Sequence, residues 1–271
     1  MALTLPAEQR AMALHGRGLR ALPVVLAAAT VGSQIVYPLV QGSVRDTVTV
    51  VSVVLFFAAS VSHAVVWRGW RLAAALVAVT AGGGLLVEAA GVATGVPFGA
   101  YAYSDSLGTQ VLGVPVVIPL AWTMMGYPAL LIGTRIGQGR RWTPVAAGAA
   151  LASWDLFLDP QMVDAGHWVW RGGSGPELLG IPVVNFGSWF LIATTMMAVL
   201  VRVPGSAYWV VDSDQLAAMR VADRVPFALY LWTYASSVLA HAAFFGLPGS
   251  AVVGGLGMGI VVALFLRASR R

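Results

Sequence analysis

Apolar runs of about the 20 residues that a helix needs to cross a hydrocarbon core recur along the chain, with short polar stretches between them. Their lengths predict eight transmembrane helices, over residues 21–40, 47–67, 72–96, 115–136, 142–163, 183–203, 225–246 and 250–266. The expected fold class is all-α, a single polytopic membrane helical bundle over residues 1–271. When the connections are assigned alternately to two sides, all 16 basic residues except Arg45 and Arg171 fall on one of them. Arginine excess marks the cytoplasmic side. The expectation is therefore a multi-pass protein of the cell membrane with both termini in the cytoplasm. The first run follows Arg10, Arg17 and Arg20 but is long and lacks a small-residue cleavage site, so it is expected to stay as a helix. The two longer outer connections, 97–114 and 164–182, hold Tyr101, Tyr103, Trp168 and Trp170, which suits an interfacial aromatic belt or a cap over a site.

Composition agrees with lipid as the main solvent: 58% of residues are hydrophobic, 10% are charged, and the mean hydropathy is +0.80. A net charge of +5 would suggest nucleic acid for a soluble chain, but the basic residues here lie in the connections and set orientation, so no nucleic-acid partner is expected. The absence of Lys excludes Schiff-base chemistry, and the absence of Cys excludes disulfides, thiolate nucleophiles and iron–sulfur clusters. No phosphate loop, nucleotide fingerprint or histidine cluster stands out, and neither a metal site nor a cofactor is expected.

A shift of 67 residues aligns Leu112 to Trp122 (LGVPVVIPLAW) with Leu179 to Trp189 (LGIPVVNFGSW). The register continues backward without a gap, pairing Tyr101 with Trp168, Tyr103 with Trp170, Gly99 with Gly166 and Glu88 with Asp155. Two repeat-like halves, about 72–136 and 139–203, are expected to run parallel about an axis along the membrane normal, flanked by helices one, two, seven and eight.

Ionisable groups inside hydrocarbon are costly, so each one is a functional candidate. At about 1.5 Å of rise per residue, Glu88, Asp155 and His241 fall roughly 20 to 24 Å from the cytoplasmic ends of their helices. Asp159 lies one turn beyond Asp155 on the same face, and Asn185 opens the sixth helix from the outer side. All five belong to the outer half. The bland alternative is a set of interhelical hydrogen bonds, and for His63, near a cytoplasmic helix end, packing or snorkelling is the expected role. Pro160 removes a backbone donor beside Asp159. The pairs Gly91 with Gly95 and Gly255 with Gly259 have the spacing of close helix packing.

The string Trp154 to Met162 (WDLFLDPQM), with Glu88 to Tyr103 (EAAGVATGVPFGAYAY) and the two aligned segments, resembles CruF-type carotenoid biosynthesis proteins, membrane hydratases acting on acyclic carotenoid ends. The likeness covers most of residues 80–200. It implies addition of water across the terminal C1,C2 double bond of a linear end such as that of lycopene or gamma-carotene, with a carotenoid in the bilayer as the partner molecule. The residues suit that chemistry. Asp155 or Asp159 is the candidate acid, since carboxyl groups that share a dry site hold a proton between them. Trp122, Tyr127, Trp154 and Trp189 are candidates to stabilise a cation, with Tyr101 and Tyr103 beside the substrate, while Glu88, Asn185 or His241 positions water. A carotenoid end-group cyclase or isomerase, an intramembrane prenyltransferase suggested by the Asp155–Asp159 spacing, and a transporter or proton relay stay open. So do the oligomeric state and docking of a neighbouring pathway enzyme such as a glycosyltransferase.

Overall fold

The computed structural model describes residues 7–172, 175–204 and 213–270. The side chains of Arg10 and Arg17, and Arg271, which contribute to the charge asymmetry, lie outside the described residues. The described chain is a bundle of helices: α1 (Ala7–Val36), α2 (Gly42–Arg68), α3 (Trp70–Leu76), α4 (Gly83–Thr94), α5 (Val117–Gly137), α6 (Thr143–Asp164), α7 (Val183–Leu200), the short α8 (Ser213–Ala222), α9 (Arg224–Ala243) and α10 (Pro248–Ser269). The third expected span is not one regular helix. A π-helical stretch, Val77–Gly82, joins α3 to α4 at the run Gly82, Gly83, Gly84, where side chains add least to the regular ladder.

Six spans are long and apolar enough to cross a membrane: α1 from Gly18, α2, α3 through α4, α5, α7 and α10. The two other long helices, α6 and α9, are the ones that spend positions on Asp155, Asp159 and Gln161, and on Thr233, Ser236, Ser237 and His241. Helix α5 is the pillar. Its apolar window is 89% buried against 11% for α1, and it packs on α2, α6, α9 and α10.

The segments aligned by the 67-residue shift share backbone features. Strand β1 (Tyr101–Tyr103) pairs antiparallel with β4 (Trp168–Trp170), with Tyr101 opposite Trp170, Ala102 opposite Val169 and Tyr103 opposite Trp168. Ala102 and Val169 are equivalent positions, so a local two-fold axis passes between them. The hairpin of β2 (Gln110–Val111) and β3 (Val114–Pro115) recurs 67 residues later as β5 (Glu177–Leu178) and β6 (Ile181–Pro182). Each hairpin turns at a Leu-Gly pair with both φ positive: 54° and 77° at Leu112 and Gly113, 58° and 77° at Leu179 and Gly180. Two positive φ values define the tight primed turn, and a leucine rarely adopts one. Its recurrence at equivalent positions marks duplicated local structure. Helices α4 and α6 therefore deliver the chain to one end of the bundle, and α5 and α7 carry it away.

Of the two roles expected for the outer aromatics, the structure gives the cap: Tyr101 and Trp168 are 6% and 7% exposed and turn inward. One expectation fails. Gly91 does not receive a helix: a Cβ there would stand 2.7 Å from the Tyr101 hydroxyl and 2.9 Å from the Phe98 ring, so its bareness lets this cap settle on α4. Gly95, with φ of 75°, ends α4 in the left-handed region.

Candidate active site

Beneath the paired strands lies a cavity of about 460 Å³, within the size range of small-molecule sites. One wall comes from the two repeat halves: Glu88 of α4, Trp122 of α5, Asp155 and Asp159 of α6, and Asn185 and Trp189 of α7. The strands roof it with Tyr101, Tyr103, Trp168 and Trp170. The facing wall is built by the end of α1 and by α9. Ile35, Leu39, Leu239 and Phe244 line it there and are themselves half or more exposed. The cavity is thus open sideways, through an apolar mouth between α1 and α9.

Glu88, Asp155, Asp159 and Asn185 are all at most 4% exposed, and each is held by named partners. The Glu88 carboxylate accepts from Tyr101 OH at 2.6 Å and Tyr103 OH at 2.9 Å on Oε2, and from Trp122 Nε1 at 3.0 Å on Oε1. Burial first, and the neighbouring Glu88 charge second, push both phenols of the cap above their ordinary range, which keeps them as donors. The four-residue spacing on α6 puts Asp155 and Asp159 on one face. There the Asn185 amide bridges them, donating to Asp155 Oδ2 at 2.9 Å and Asp159 Oδ2 at 2.6 Å. Trp168 Nε1 donates to Asp159 Oδ1 at 2.6 Å. Among the described residues, Glu88 accepts from three side-chain donors, Asp159 from two and Asp155 from one.

The aromatic lining has a definite geometry. Trp122 and Trp189, equivalent in the two halves, stack with centroids 3.9 Å apart and planes 8° from parallel. Trp154 meets Trp189 edge-on at 6.5 Å. The Trp122 ring rests on α4 because residue 84 is glycine, where a Cβ would lie 2.9 Å from the indole. Aromatic faces carry negative quadrupole density, so this lining favours positive charge.

Two expected site residues are elsewhere. Tyr127 is fully buried toward the other end of the bundle, 2.8 Å from His63 Nδ1, while His63 Nε2 reaches Ala222 O at 3.0 Å. His63 is accordingly a packed, bonded histidine, as expected, and Tyr127 is its partner because α2 and α5 cross there. His241 is fully buried between α9 and α10 and does not line the cavity; it touches Gln161, which does. Trp168 and Trp170 belong to the lining, as a cap would, although sequence reading named only Tyr101 and Tyr103 of the four outer aromatics as beside the substrate. The 67-residue register carried the signal, since they are the equivalents of Tyr101 and Tyr103. Gln161 carried none: a neutral amide two residues past Asp159 looks like any other helix-end polar residue.

Residues 48–268 match the model of the family described as carotenoid biosynthesis proteins, and the chain belongs to that family. Within it, a stretch of 110 residues is 34% identical to the bisanhydrobacterioruberin hydratase of Haloarcula japonica, covering 39% of this chain and 36% of that protein. The match thus spans little more than a third of the relative's length. No solved structure matches the chain.

Proposed function

We propose that this protein is a carotenoid 1,2-hydratase, adding water across the terminal C1,C2 double bond of an acyclic carotenoid end such as that of lycopene or gamma-carotene. It works in the cytoplasmic membrane with both termini in the cytoplasm, in line with the arginine asymmetry. The observation that carries the reading is the unequal treatment of three carboxyl groups inside an apolar cavity open to the lipid side. The printed name of the Haloarcula japonica relative supports the same class of reaction.

A carboxylate that accepts several donors is stabilised as the anion, and a neighbour with fewer donors is the one that keeps a proton. Glu88, with its three donors, serves as the fixed negative charge, and Asp159 is the second anion. Asp155, with one donor and two acidic neighbours, is the general acid. Its proton goes to C2, the π pair forms the new C–H bond, and C1 becomes a tertiary cation facing the Trp122–Trp189 stack and Trp154. A water oxygen then bonds to C1, and the oxonium proton returns to the carboxylate that gave the first. Atoms and charge balance, and the sum is alkene plus water giving a tertiary alcohol. The step is redox neutral and asks for no cofactor. The open side lets a long polyene keep its remainder in lipid while one end enters.

The experiment expresses the wild type, Asp155→Asn and Asp159→Asn in membranes of cells making lycopene and follows the mass gain of one water. The wild type hydrates. Asp155→Asn loses about 10²- to 10⁴-fold, the usual share of a positioned acid, with normal protein levels. Full turnover in Asp155→Asn removes the assigned acid, and cyclised product without mass gain replaces hydration by cyclisation.

A further inference from the structure

Trp170 lines the cavity with a polar atom that the proposed chemistry leaves unused. Its indole Nε1 is enclosed by protein and meets no hydrogen-bond partner. Bulk water does not reach such an atom, so an N–H there is costly unless it serves an acceptor at some stage. The acceptor it faces is Asp159: the indole stands within electrostatic reach of that carboxyl without meeting it in hydrogen-bonding geometry. The ring is held in this attitude. Strand pairing sets Trp170 opposite Tyr101, whose ring centroid lies 5.2 Å away, and Arg171 N donates to Ala100 O at 2.7 Å just beyond. Against its outer ring residue 99 is glycine, where a Cβ would come within 3.3 Å of the indole.

The two halves of the roof explain why this donor is left over. In the first half Tyr101 and Tyr103 both reach Glu88. Their equivalents are tryptophans, whose N–H sits on the flank of the ring instead of its tip, and the equivalent of Glu88, Asp155, accepts only from Asn185 among the described residues. Trp168 bonds Asp159 instead, one turn nearer the roof, and Trp170 faces that same carboxyl with its bond not made.

Proton donation by Asp155 changes what the pair needs. Before the transfer one of the two carboxyl groups is charged; afterwards both are, with the Glu88 charge also in range. They share the Asn185 amide, which now lies 2.6 Å from Asp159 and 2.9 Å from Asp155. The new anion draws that amide toward itself, and Asp159 is then short of one N–H. Hydrogen bonds that serve catalysis are often long or poorly aligned in the resting protein and tighten as charge develops. A bond stronger in the transition state than in the ground state lowers the barrier.

We infer that Trp170 is a positioning residue for the proton transfer: its indole N–H closes onto Asp159 as Asp155 ionises and carries part of the pair's second negative charge. The inference rests on the proposed hydration. The proton of Asp155 bonds to C2, its electron pair stays on the carboxylate, and Trp170 keeps its own proton throughout.

Two variants separate the N–H from the ring. Trp170→Phe keeps an aromatic ring and deletes the donor, whereas Trp170→His drops the outer ring but keeps a five-membered ring with a nitrogen at the Nε1 position. Membranes with equal amounts of each protein are supplied with increasing acyclic carotenoid, and the mass gain of one water gives kcat and KM. Trp170→Phe lowers kcat roughly ten- to hundredfold, the worth of one hydrogen bond to a charged group, with KM within about twofold of wild type. Trp170→His recovers part of kcat. Wild-type kcat in Trp170→Phe overturns the inference and leaves the hydratase reading standing. A loss confined to KM also overturns it, since Trp170 is then a contact surface for the polyene, and so does a kcat in Trp170→His no higher than in Trp170→Phe, which assigns the effect to the outer ring. A wild type that yields no hydrated product takes down the hydratase reading, and this inference with it.

Discussion

Glu88→Ala is the perturbation whose cost can be read most directly from the geometry. It takes the carboxylate from three donors at once, Tyr101 OH, Tyr103 OH and Trp122 Nε1, which now reach it at 2.6, 2.9 and 3.0 Å, although Tyr101 OH keeps the backbone carbonyl of residue 88, 3.3 Å away, as an acceptor. A buried donor left without a partner costs about 1–3 kcal/mol. The two hydroxyls line the cavity and can rotate toward water, whereas the indole N–H is fixed by its ring stack. The expected destabilisation is therefore near the lower end of the summed range, about 3–4 kcal/mol. Glu88→Gln is milder. Its oxygen can face Trp122, which only donates, while its nitrogen faces the two hydroxyls, which can also accept. Thermal unfolding of the detergent-solubilised protein, followed by the fluorescence of its 10 tryptophans, reports the difference. At about 2–4 °C per kcal/mol for a chain of this size, Glu88→Ala melts roughly 6–16 °C below the wild type, with Glu88→Gln between them. A midpoint within about 2 °C of wild type for Glu88→Ala would show that the carboxylate does not hold the cap.

At the opposite end of the bundle, Arg68 and Asp223 form an ion pair at 2.7 Å with both side chains fully enclosed. Removing either partner alone is expected to cost about 3–5 kcal/mol, whereas Arg68→Met with Asp223→Leu recovers most of it; equal melting points for the single and double variants would refute this. His167, between α6 and β4, is pushed below its ordinary range by burial, against the pull of Asp46 at 3.9 Å. The folded protein then binds fewer protons than the unfolded chain, so this contribution to stability is intact above the unfolded value of about 6.5 and is lost as pH falls below it. His167→Gln should narrow the difference between melting points at about pH 7.5 and about pH 5.5, and an unchanged difference excludes His167 as its source.

The spans were legible because lipid imposes a length on apolar runs, and the repeat because Leu112 with Gly113 and Leu179 with Gly180 need the same rare backbone. The carboxylates were legible for the opposite reason: each violates the composition of its helix, and such violations concentrate at functional sites. Burial separated the rest. Tyr127 and Trp122 sit on one helix and look alike in sequence, but only a fold decides that Trp122 faces α7 while Tyr127 faces His63. His241 was expected to position water, but it faces Ser250 and Gln161 and does not line the cavity, since depth along a helix says nothing about rotation around it. The π stretch at Val77–Gly82 escaped because three consecutive glycines permit it without requiring it.

The contact of Trp122 with Trp189, and of Ala102 with Val169, joins each residue to its own copy. Contact of that kind sets equivalent positions of the two aligned segments face to face across one local axis. Position 88 and its equivalent, 155, nevertheless carry side chains of different length in different company: Glu88 meets two phenols and an indole, Asp155 a single amide. A scaffold with local two-fold symmetry thus encloses a chemically lopsided interior.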